Sequence, residues 1–559
     1  MMAEKVWLKH YPANVPAHLE YPEVPLYELL ARTAREHPDL PALRYYMVRM
    51  TYAELWARVQ RCAAALASLG VQKGDRVAIM LPNCPQYVIS YYATLRLGAI
   101  VAQVNPLYTP RELSYLIGDS GSKVLIVADA LYPTVQAALP ELDLEHILVV
   151  RLLGNVQPGP EAQSFEALLA GAGDDVPEVP IAPREDVAVL QYTGGTTGRS
   201  KGAMLTHFNL VANVVQIQHW FPAEERMKPG EGRILTILPI FHSYGMTVCM
   251  NYGLASGYEL ILVPRFELPE VMEIIKATQP NFFPGVPTMY VAVNNYPNAE
   301  EYGVGSIEFC NSGGAAMPVE VMNAFERRFG AQVLEGYGLS EASPVTHCNP
   351  VHGLRKPGSI GIPYPDTDAE IVDVETGTRV LGPGEVGELR IRGPQVMKGY
   401  WNRPEETAET LRDGWLYTGD IATMDEDGYF YIVDRKKDMI IASGYNVYPR
   451  EVEEVLYEHP AVAECCVAGV PDPYRGETVK AYVVLKPGAS ATAEEIIAFC
   501  RERLAAYKAP KLVEFRSELP KTAVGKVLRR VLVEEERARQ AAGSSGTEAA
   551  GSAGTAAGA

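Results

Sequence analysis

The chain has 559 residues, of which 47% are hydrophobic, and its formal net charge is −18. A single core stops growing at about 250–300 residues, so this length predicts at least two domains. The acidic balance disfavours nucleic acid as a partner, and it also disfavours simple electrostatic attachment to anionic lipid. Eight cysteines occur without a Cys-x-x-Cys pair. This usage favours buried thiols in a reducing cytoplasm over a disulfide framework or a zinc site.

Helical and strand patterns alternate in the first part of the chain. Thr51 and Glu54 have the spacing of a capping box, which predicts a helix whose apolar stripe extends to Leu66. Residues 75–81 and 124–128 are apolar and predict strands, each after a helical pattern. Strands that alternate with amphipathic helices predict parallel α/β layers.

Residues 234–258 contain no charged side chain and are numerous enough to span a bilayer. Pro239, His242, Asn251 and further polar side chains interrupt this segment. We therefore expect a buried strand and helix that line a cavity, rather than a membrane span.

The pattern changes in the second half of the chain. Residues 357–432 contain several Gly and Pro turns and predict an antiparallel region, with a strand over 388–392. Beyond residues 434–438 a smaller α+β unit is expected, with a helix after Pro449, strands around Cys466 and over 481–485, and a helix over 494–504. A last helix is expected to begin near Val527, directly after Lys526. Residues 541–559 contain only Ala, Gly, Ser, Thr and one Glu, which predicts a disordered tail.

The most informative segment is 190–202, Leu-Gln-Tyr-Thr-Gly-Gly-Thr-Thr-Gly-Arg-Ser-Lys-Gly. An apolar run predicts a buried strand that leads into this loop. Its glycines can present backbone N–H groups to an anion, its threonines add hydroxyl donors, and Lys201 adds a positive charge. The spacing is not that of a Walker A loop. On its own, such a loop is as consistent with a plain turn as with a polyphosphate site.

Six further motifs follow in a fixed order: 238–242 (Leu-Pro-Ile-Phe-His), 312–318 (Ser-Gly-Gly-Ala-Ala-Met-Pro), 335–341 (Glu-Gly-Tyr-Gly-Leu-Ser-Glu), 417–420 (Tyr-Thr-Gly-Asp), 433–438 (Val-Asp-Arg-Lys-Lys-Asp) and 520–526 (Pro-Lys-Thr-Ala-Val-Gly-Lys). With the glycine-rich loop they resemble the adenylate-forming superfamily of acyl-CoA synthetases, luciferases and peptide-synthetase adenylation domains. Within it, the chain is most similar to bacterial long-chain fatty acid–CoA ligases, from Val6 to about Val533.

This resemblance implies an α/β fold with two domains, of which the smaller is mobile. We expect a large N-terminal domain over residues 1–434, made of layered α/β subdomains and a β-rich subdomain, and a small mobile α+β domain over 435–540. The implied reaction joins a fatty acid to ATP as acyl-AMP with release of pyrophosphate, and then transfers the acyl group to CoA. Mg²⁺, ATP and CoA are the implied cofactor and co-substrates.

The resemblance also implies the nucleotide-binding residues. Thr193 and Glu341 are expected beside Mg²⁺, which prefers oxygen ligands. Asp420 is expected to accept from the ribose hydroxyls, because a carboxylate offers two acceptors to a vicinal diol. The full expected ATP or AMP set is Thr193, Gly194, Gly195, Thr196, Thr197, Gly198, Lys201, Gly314, Ala315, Glu335, Gly336, Tyr337, Gly338, Ser340, Asp420 and Arg435.

Three residues have implied catalytic roles. Lys526 would offset negative charge on the carboxylate and the α-phosphate, Lys437 would be the hinge of the small domain, and His242 would flank the acyl carboxylate. Ser443 and Gly444 would face the CoA channel. By residue type alone, a lysine is usually solvated and a histidine beside apolar residues usually belongs to the core. The same ambiguity applies to a second apolar set, which could line an acyl tunnel or be ordinary core: Phe282, Phe283, Val286, Met289 and Tyr290.

The chain departs from the family pattern at two positions. Ser340 stands where the family has threonine, which keeps the hydroxyl, and Ile441 stands where some relatives have lysine, so no contact is assigned to it. Three alternatives stay open: a medium-chain or aryl-acid CoA ligase, a ligase that loads acyl-AMP onto a carrier protein, and a non-catalytic sensor of AMP or acyl-CoA. We expect a cytoplasmic enzyme with peripheral contact at the inner face of the membrane, and a homodimer is compatible with the resemblance.

Overall fold

A computed structural model describes residues 5–13, 15–152, 158–173, 175–193, 200–220, 227–435, 438–442, 445–472, 476–522 and 525–539. Within these ranges the strands form four sheets, which confirms the mixed α/β class. All eight cysteines are free and buried, as expected for a chain without a disulfide framework.

The largest sheet has nine strands, and its central strands are parallel. Parallel strands place their carboxyl ends along one edge of a sheet, where ligand sites of α/β proteins form. In spatial order the strands are β16 (Ile362–Pro363), β15 (Val345–Cys348), β14 (Gln332–Gly338), β13 (Phe309–Ser312), β12 (Phe282–Gly285), β10 (Arg233–Thr236), β11 (Glu259–Leu262), β1 (Pro41–Tyr45) and β2 (Val48–Thr51).

A second sheet has seven strands, all parallel except for its last pair. That antiparallel pair is the hairpin that carries the two ends of the glycine-rich loop. The order is β7 (Gln163–Ser164), β6 (His146–Val150), β5 (Val124–Ala128), β3 (Arg76–Met80), β4 (Ile100–Gln103), β8 (Val187–Thr193) and β9 (Lys201–Thr206).

Two five-stranded sheets follow along the chain. The first is antiparallel, as the Gly and Pro turns predicted, and contains β17 (Asp368–Val372), β18 (Gly387–Arg392), β19 (Leu411–Arg412), β20 (Trp415–Met424) and β21 (Phe430–Arg435). The second belongs to the small unit and contains β22 (Ile440–Ala442), β23 (Tyr445–Val447), β24 (Val462–Asp472), β25 (Gly476–Leu485) and β26 (Leu512–Phe515). The change of sheet falls between Arg435 and Ile440, and the domain boundary at 434/435 stays a prediction.

Within the described ranges, α-helices α1 to α14 cover these sheets or separate them. α3 and α7 are buried on almost every side, which is typical of helices packed between layers. The helices are α1 (Tyr27–Glu36), α2 (Tyr52–Ser68), α3 (Pro85–Arg96), α4 (Pro110–Ser120), α5 (Tyr132–Ala138), α6 (Phe165–Gly171), α7 (His207–Trp220), α8 (Tyr252–Ala255), α9 (Leu268–Thr278), α10 (Pro287–Asn294), α11 (Val319–Phe329), α12 (Pro404–Thr410), α13 (Pro449–Tyr457) and α14 (Ala493–Arg501). Residues 529–539 are also helical.

The uncharged segment 234–258 lies inside the large domain. It forms β10, a π-helix over Gly245–Asn251 and the short α8, and all seven residues of the π-helix are buried. In the described part of the chain, every helix is too short or too polar to traverse a bilayer. Phe282, Phe283, Val286, Met289 and Tyr290 are buried in the same core.

The capping box at Thr51 and Glu54 is present, and α2 ends at Ser68, two residues before Gly70. The prediction for the C-terminal helix was less accurate. We expected it to begin near Val527, but an isolated β-bridge joins Val527 to Lys521, and the helix begins at residue 529. The tail 541–559 lies outside the described residues.

Candidate functional site

The predicted motifs lie mainly at the carboxyl edge of the nine-stranded sheet. Segment 238–242 follows β10, Val286 follows β12, residues 313–315 follow β13, and residues 339–341 follow β14. β8 and β9 of the seven-stranded sheet pack against residues 340–342. The hydroxyls of Ser243 and Ser340 are 3.3 Å apart and connect two of these segments. The site therefore lies where two sheets meet.

His242 is held by its own segment of backbone. Its carbonyl accepts from Met246 N at 2.9 Å, and its Nδ1 accepts from Tyr244 N at 3.3 Å. Burial lowers the pKa of His242 to about 4, and the positive charge of Lys526 acts in the same direction. At neutral pH the imidazole is therefore uncharged. Because Nδ1 accepts from Tyr244 N, the ring proton lies on Nε2, which can donate a hydrogen bond to an anionic substrate.

Gly245 is the residue that lets the π-helix pack under this segment. A Cβ at this position would lie 2.4 Å from the carbonyl oxygen of Pro239 and 2.7 Å from that of Leu238. Asn83 supports the same segment from α3's side, because its amide donates to the carbonyls of Thr236 and Leu238 at 3.0 Å. The backbone around His242 is thus fixed by close packing and by a buried amide.

The two ends of the glycine-rich loop are closed by the β8–β9 hairpin, in which Thr193 pairs with Lys201. Ser200 Oγ donates to Thr193 O at 2.5 Å, and Tyr115 OH donates to Ser200 O at 2.8 Å. These bonds hold both ends of the loop in place. Residues 194–199 lie outside the described residues, and they include the predicted Gly194, Gly195, Thr196, Thr197 and Gly198.

Tyr400 connects the loop lysine to the predicted metal-side glutamate. Its hydroxyl donates to Glu341 Oε1 at 2.8 Å, and Lys201 Nζ lies 5.2 Å from the centre of its ring. The backbone of residues 398–401 bonds to β9, for example Trp401 N to Gly202 O at 2.8 Å. Burial and the Glu341 carboxylate raise the pKa of Tyr400, so its hydroxyl stays protonated and donates.

The ribose-side candidates form a polar cluster around the buried Asp420. Asp420 and Arg435 are paired across β20 and β21, and Arg435 Nε lies 2.7 Å from Asp420 Oδ1. Tyr337 OH donates to Asp420 Oδ2. Burial and the Asp420 carboxylate raise the pKa of Tyr337 well above its ordinary value, so it too remains a donor. These three predicted residues are brought into direct contact.

The small residues of the predicted adenine slot surround this group. Gly314 and Ala315 are exposed at the end of β13, and Gly314 has a φ of +77°, which favours glycine. Gly336 and Gly338 lie on either side of Tyr337 in β14. A Cβ at Gly338 would collide with the carbonyl of Pro344, and one at Gly336 would lie 3.2 Å from Asn311 Nδ2, so packing within the domain requires both of these glycines. Gly314, with Val286 Cγ1 at 3.5 Å from a Cβ built there, has more room for a flat ring.

Glu335 behaves differently from its neighbours in β14. Its carboxylate is buried, accepts from Met317 N at 3.2 Å and lies 3.7 Å from Arg450 Nη2 of the small domain. Burial raises the pKa of Glu335 to about 7, although Arg450 opposes that change. The side chain therefore takes part in the contact between the domains.

Lys526 is brought to the site by the small domain. Thr288 Oγ1 of the large domain donates to the carbonyl of Gly525 at 3.2 Å, and Lys526 N donates to Thr522 Oγ1 at 3.1 Å. The ammonium is open to solvent, yet the surrounding protein desolvates it and lowers its pKa to about 8, with the Arg435 charge acting in the same direction. Lys526 therefore remains mostly protonated at neutral pH, close to the Asp420–Arg435 pair.

Three more predicted residues, Lys437, Ser443 and Gly444, lie outside the described residues. The sequence analysis did not identify two described residues that contact predicted site residues, Tyr400 and Arg450. Nothing in the sequence around Tyr400 shows that it lies between Lys201 and Glu341. Arg450 offered one signal, because it occupies the first turn of α13, where a positive charge opposes the helix dipole.

Thr193 and Glu341 fit a Mg²⁺ ion in donor type. A hydroxyl and a carboxylate are hard oxygen ligands, and Mg²⁺ bound to phosphates takes few ligands from protein. Tyr400 binds only one of the two carboxylate oxygens of Glu341. Within the ranges that the structure covers, no group of three or more His, Cys, Asp or Glu residues is arranged for a metal ion.

Comparison with known families agrees with this geometry. Residues 30–401 match the AMP-binding enzyme family, and residues 451–526 match the AMP-binding enzyme C-terminal domain. The chain belongs to the AMP-binding enzyme family.

Individual relatives extend over almost the whole chain. It is 49% identical over 558 residues to a long-chain-fatty-acid–CoA ligase of Bacillus subtilis (strain 168), covering 96% of this chain and 99% of that protein. It is 40% identical over 499 residues to a feruloyl-CoA synthase of an Amycolatopsis species, covering 89% and 96%. The crystal structure of the anthranilate CoA ligase AuaEII with anthranoyl-AMP superposes with a TM-score of 0.85 at 29% identity, covering 94% and 99%.

The Tyr400 contact generates a prediction. Tyr400→Phe keeps the ring beside Lys201 and removes the hydrogen bond to Glu341. Because a bond to a charged group contributes about 1.5–3 kcal/mol, kcat/KM for MgATP should fall roughly tenfold or more. The measurement is pyrophosphate release at varied MgATP. Tyr431→Phe is the matched control, since Tyr431 donates to Asp425 at 3.1 Å on β21. Equal kinetics in the two variants would contradict a role for Tyr400 at the site.

Proposed function

We propose that this chain is a long-chain fatty acid–CoA ligase. It activates a fatty acid with ATP as acyl-AMP, releases pyrophosphate, and transfers the acyl group to CoA with release of AMP. The observation that carries the proposal is the position of the Lys526 segment: Thr288 of the large domain donates to the carbonyl of the adjacent Gly525 at 3.2 Å, and the charge of Lys526 acts on Asp420, Arg435 and His242. The family match and the 49% identical relative support it.

In the first half-reaction a carboxylate oxygen attacks the α-phosphorus, and negative charge accumulates on the phosphoryl oxygens. The enzyme's task is to position both reactants and to stabilise that charge. Lys526 supplies a cation there, Lys201 and the glycine-rich loop bind the outer phosphates, and Asp420 accepts from the ribose hydroxyls. Neutral His242 orients the acyl carboxylate. Mg²⁺ held by Thr193 and Glu341 would neutralise phosphate charge.

In the second half-reaction the CoA thiol displaces AMP from the acyl carbonyl. We assign the hinge for this step to Lys437, around which the small domain rotates and withdraws Lys526. The rotation would bring Ser443 and Gly444 to the pantetheine channel. Arg435 remains with the nucleotide, because it is paired with Asp420 on β20 of the large domain.

The preference for long chains rests on overall similarity and on the apolar material behind His242. The buried π-helix Gly245–Asn251 and strand β12 offer walls without charged side chains. A feruloyl-CoA synthase at 40% identity keeps an aryl-acid substrate as the alternative. A non-catalytic sensor is less well supported, since Lys526, Glu341 and the loop motif are all present. Delivery to a carrier protein is distinguished by whether CoA accepts the acyl group.

An acid panel separates these substrates. Each methylene buried contributes about 0.8 kcal/mol, so an acid shorter by eight carbons should lose up to about 6 kcal/mol, reduced by the ordering of the chain. We expect kcat/KM to rise with length to an optimum among acids of about 12–18 carbons. Pyrophosphate release is measured with and without CoA. An optimum at octanoate or at an aromatic acid would refute the long-chain assignment and leave the ligase mechanism standing.

Lys526→Ala tests the mechanism. Loss of a charge that acts only during attack on phosphorus should lower adenylation by roughly 10²–10³, while thioester formation from supplied acyl-AMP should change little. Because the pKa of Lys526 is about 8, wild-type adenylation should also decline as the pH rises above that value. Lys521→Ala is the control, since Lys521 is on the same loop and pairs with Glu464 at 2.8 Å. Equal losses in both half-reactions would show that Lys526 is structural.

Contact with a membrane is the next part of the proposal. The hairpin between β1 and β2 exposes three large apolar side chains in sequence: Tyr46 (49%), Met47 (98%) and Val48 (53%). Arg44 and Arg49 at its base both pair with the buried Glu259. β1 runs parallel to β11, so the tip projects from the same edge as the segment that carries His242. We assign this tip to a lipid surface from which the acid is drawn; a cytoplasmic location and a homodimer stay predictions.

Cosedimentation with vesicles tests the hairpin tip. Met47→Ser with Val48→Thr should reduce cosedimentation with phosphatidylcholine vesicles several-fold and leave activity on soluble octanoate unchanged, because only exposed apolar area is lost. Zwitterionic lipid is used because the chain's charge of −18 opposes anionic lipid. Leu107→Ser, at another exposed apolar side chain (71%), is the control. Vesicle binding unchanged from wild type would exclude the tip as the lipid contact.

A further inference from the structure

A second set of contacts between the domains centres on Arg450, in the first turn of α13. Its Nη1 donates to Ile432 O at 2.6 Å and its Nη2 donates to Gly358 O at 3.2 Å. The same Nη2 lies 3.7 Å from Glu335 Oε1, and only 13% of the Arg450 side chain is exposed. The small domain thus inserts a guanidinium into a pocket made by the large domain.

Glu335 is the acidic wall of that pocket. Its Oε1 accepts from Met317 N at 3.2 Å, and its Oε2 is buried without a hydrogen-bond partner among the described residues. Arg450 is the cation beside the Glu335 carboxylate. Its Nε also lies 3.8 Å from Oε1 of Glu454, in the same helix α13. A buried carboxylate that loses its cation pays a large desolvation penalty, so Glu335 favours the arrangement in which Arg450 is inserted.

The pocket is continuous with the nucleotide site. Glu335 directly precedes Gly336 and Tyr337 in β14, and Tyr337 donates to Asp420. A contact at Glu335 therefore fixes the small domain against the same strand that carries the predicted adenine slot.

Arg529 ties the helix of Arg450 to the segment of Lys526. It lies three residues after Lys526, its Nη2 donates to Glu453 Oε1 of α13 at 2.9 Å, and its Nη1 donates to Asp438 Oδ2 at 3.0 Å. Because Arg529 is part of the Lys526 segment and bonds to Glu453 of α13, we expect α13 and the Lys526 segment to move together. When Arg450 is fixed in the Glu335 pocket, the position and orientation of the Lys526 segment relative to the site are therefore fixed as well.

We propose that Arg450 is a positioning residue for adenylation: it docks the small domain into the pocket formed by the Glu335 carboxylate and the carbonyls of Gly358 and Ile432, and so places Lys526 at the reacting groups. The contact must break when the small domain rotates for thioester formation. This inference rests on the proposed two-step function. Within α13, Arg450 opposes the helix dipole and lies 3.8 Å from Glu454 at i,i+4, whereas its two hydrogen bonds to carbonyls are made to the large domain.

The test compares the two half-reactions in the full-length chain. Arg450→Gln should lower adenylation, measured as pyrophosphate release from a C16 acid and MgATP, by roughly 10–100-fold. Thioester formation from supplied palmitoyl-AMP and CoA should change less than about threefold, because the docked arrangement is not used there. Arg530→Gln is the control, since Arg530 is exposed on the same domain and pairs with Glu534.

Two further variants make the pairing explicit. The double variant Arg450→Gln with Glu335→Gln should adenylate faster than Arg450→Gln alone. The amide that replaces the Glu335 carboxylate is neutral, so its burial no longer requires a cation beside it. Arg450→Lys should be intermediate, since an ammonium keeps the charge but cannot bond to both carbonyls; it carries the test if Arg450→Gln does not fold.

Equal losses in both half-reactions, or no loss relative to Arg530→Gln, would overturn the role of Arg450. A double variant no faster than Arg450→Gln would overturn Glu335 as its partner. Wild-type protein is measured first, so a failure of the proposed function appears as absence of both half-reactions in wild type. A failure of this inference changes only the comparison among variants.

Discussion

The contact between the Lys526 segment and the carboxyl edge of the nine-stranded sheet is the interaction on which the site depends. Asp420, Arg435, Tyr337 and the neutral His242 all precede the change of sheet between Arg435 and Ile440, but the cation for the reacting groups comes from the small domain. Thr288 and Gly525 make that contact with a single hydrogen bond of 3.2 Å. A bond of this kind contributes about 1 kcal/mol net, which is too little to hold a domain alone. The charged groups around Arg450 supply the additional attraction.

Charge balance explains how an acidic chain can handle polyanions. The net charge is −18, yet each cation of the site faces a specific partner: Arg435 the carboxylate of Asp420, Lys201 the ring of Tyr400, and Lys526 the Arg435–Asp420 pair. Desolvation and the positive charge of Arg435 both disfavour the charged form of Lys526, so its pKa is lowered to about 8. A phosphate that enters would restore the balance, which ties the charge of the lysine to the presence of substrate.

Local patterns predicted the layers of the fold well. The capping box at Thr51, the strands of the parallel sheets and the antiparallel region around β18 all follow from signals within a few residues. The π-helix Gly245–Asn251 did not follow, because a segment buried on all sides has no amphipathic period that distinguishes one helix type from another. The motifs located Asp420 and Arg435, but the contacts of Tyr400 and Glu335 join residues far apart in sequence, and only the folded chain brings them together. The last helix begins at residue 529 and not near Val527, because Val527 is paired with Lys521 in an isolated bridge, a contact outside its local sequence.

A two-step reaction imposes opposite demands on the domain contact, and its composition meets both. The interface must hold Lys526 during attack on phosphorus and must then release it within one turnover. An apolar interface would be stable, but rotation of the small domain would expose its apolar surface to water, which is unfavourable and promotes aggregation. The contacts seen here are polar: a carbonyl to a hydroxyl, and a guanidinium to two carbonyls and a carboxylate. Water can replace each of them, so the net free energy of separation is small even though the geometry is specific. Glu335 is the exception, since its burial penalises the charge once Arg450 leaves, and this asymmetry biases the resting enzyme toward the arrangement that begins the cycle.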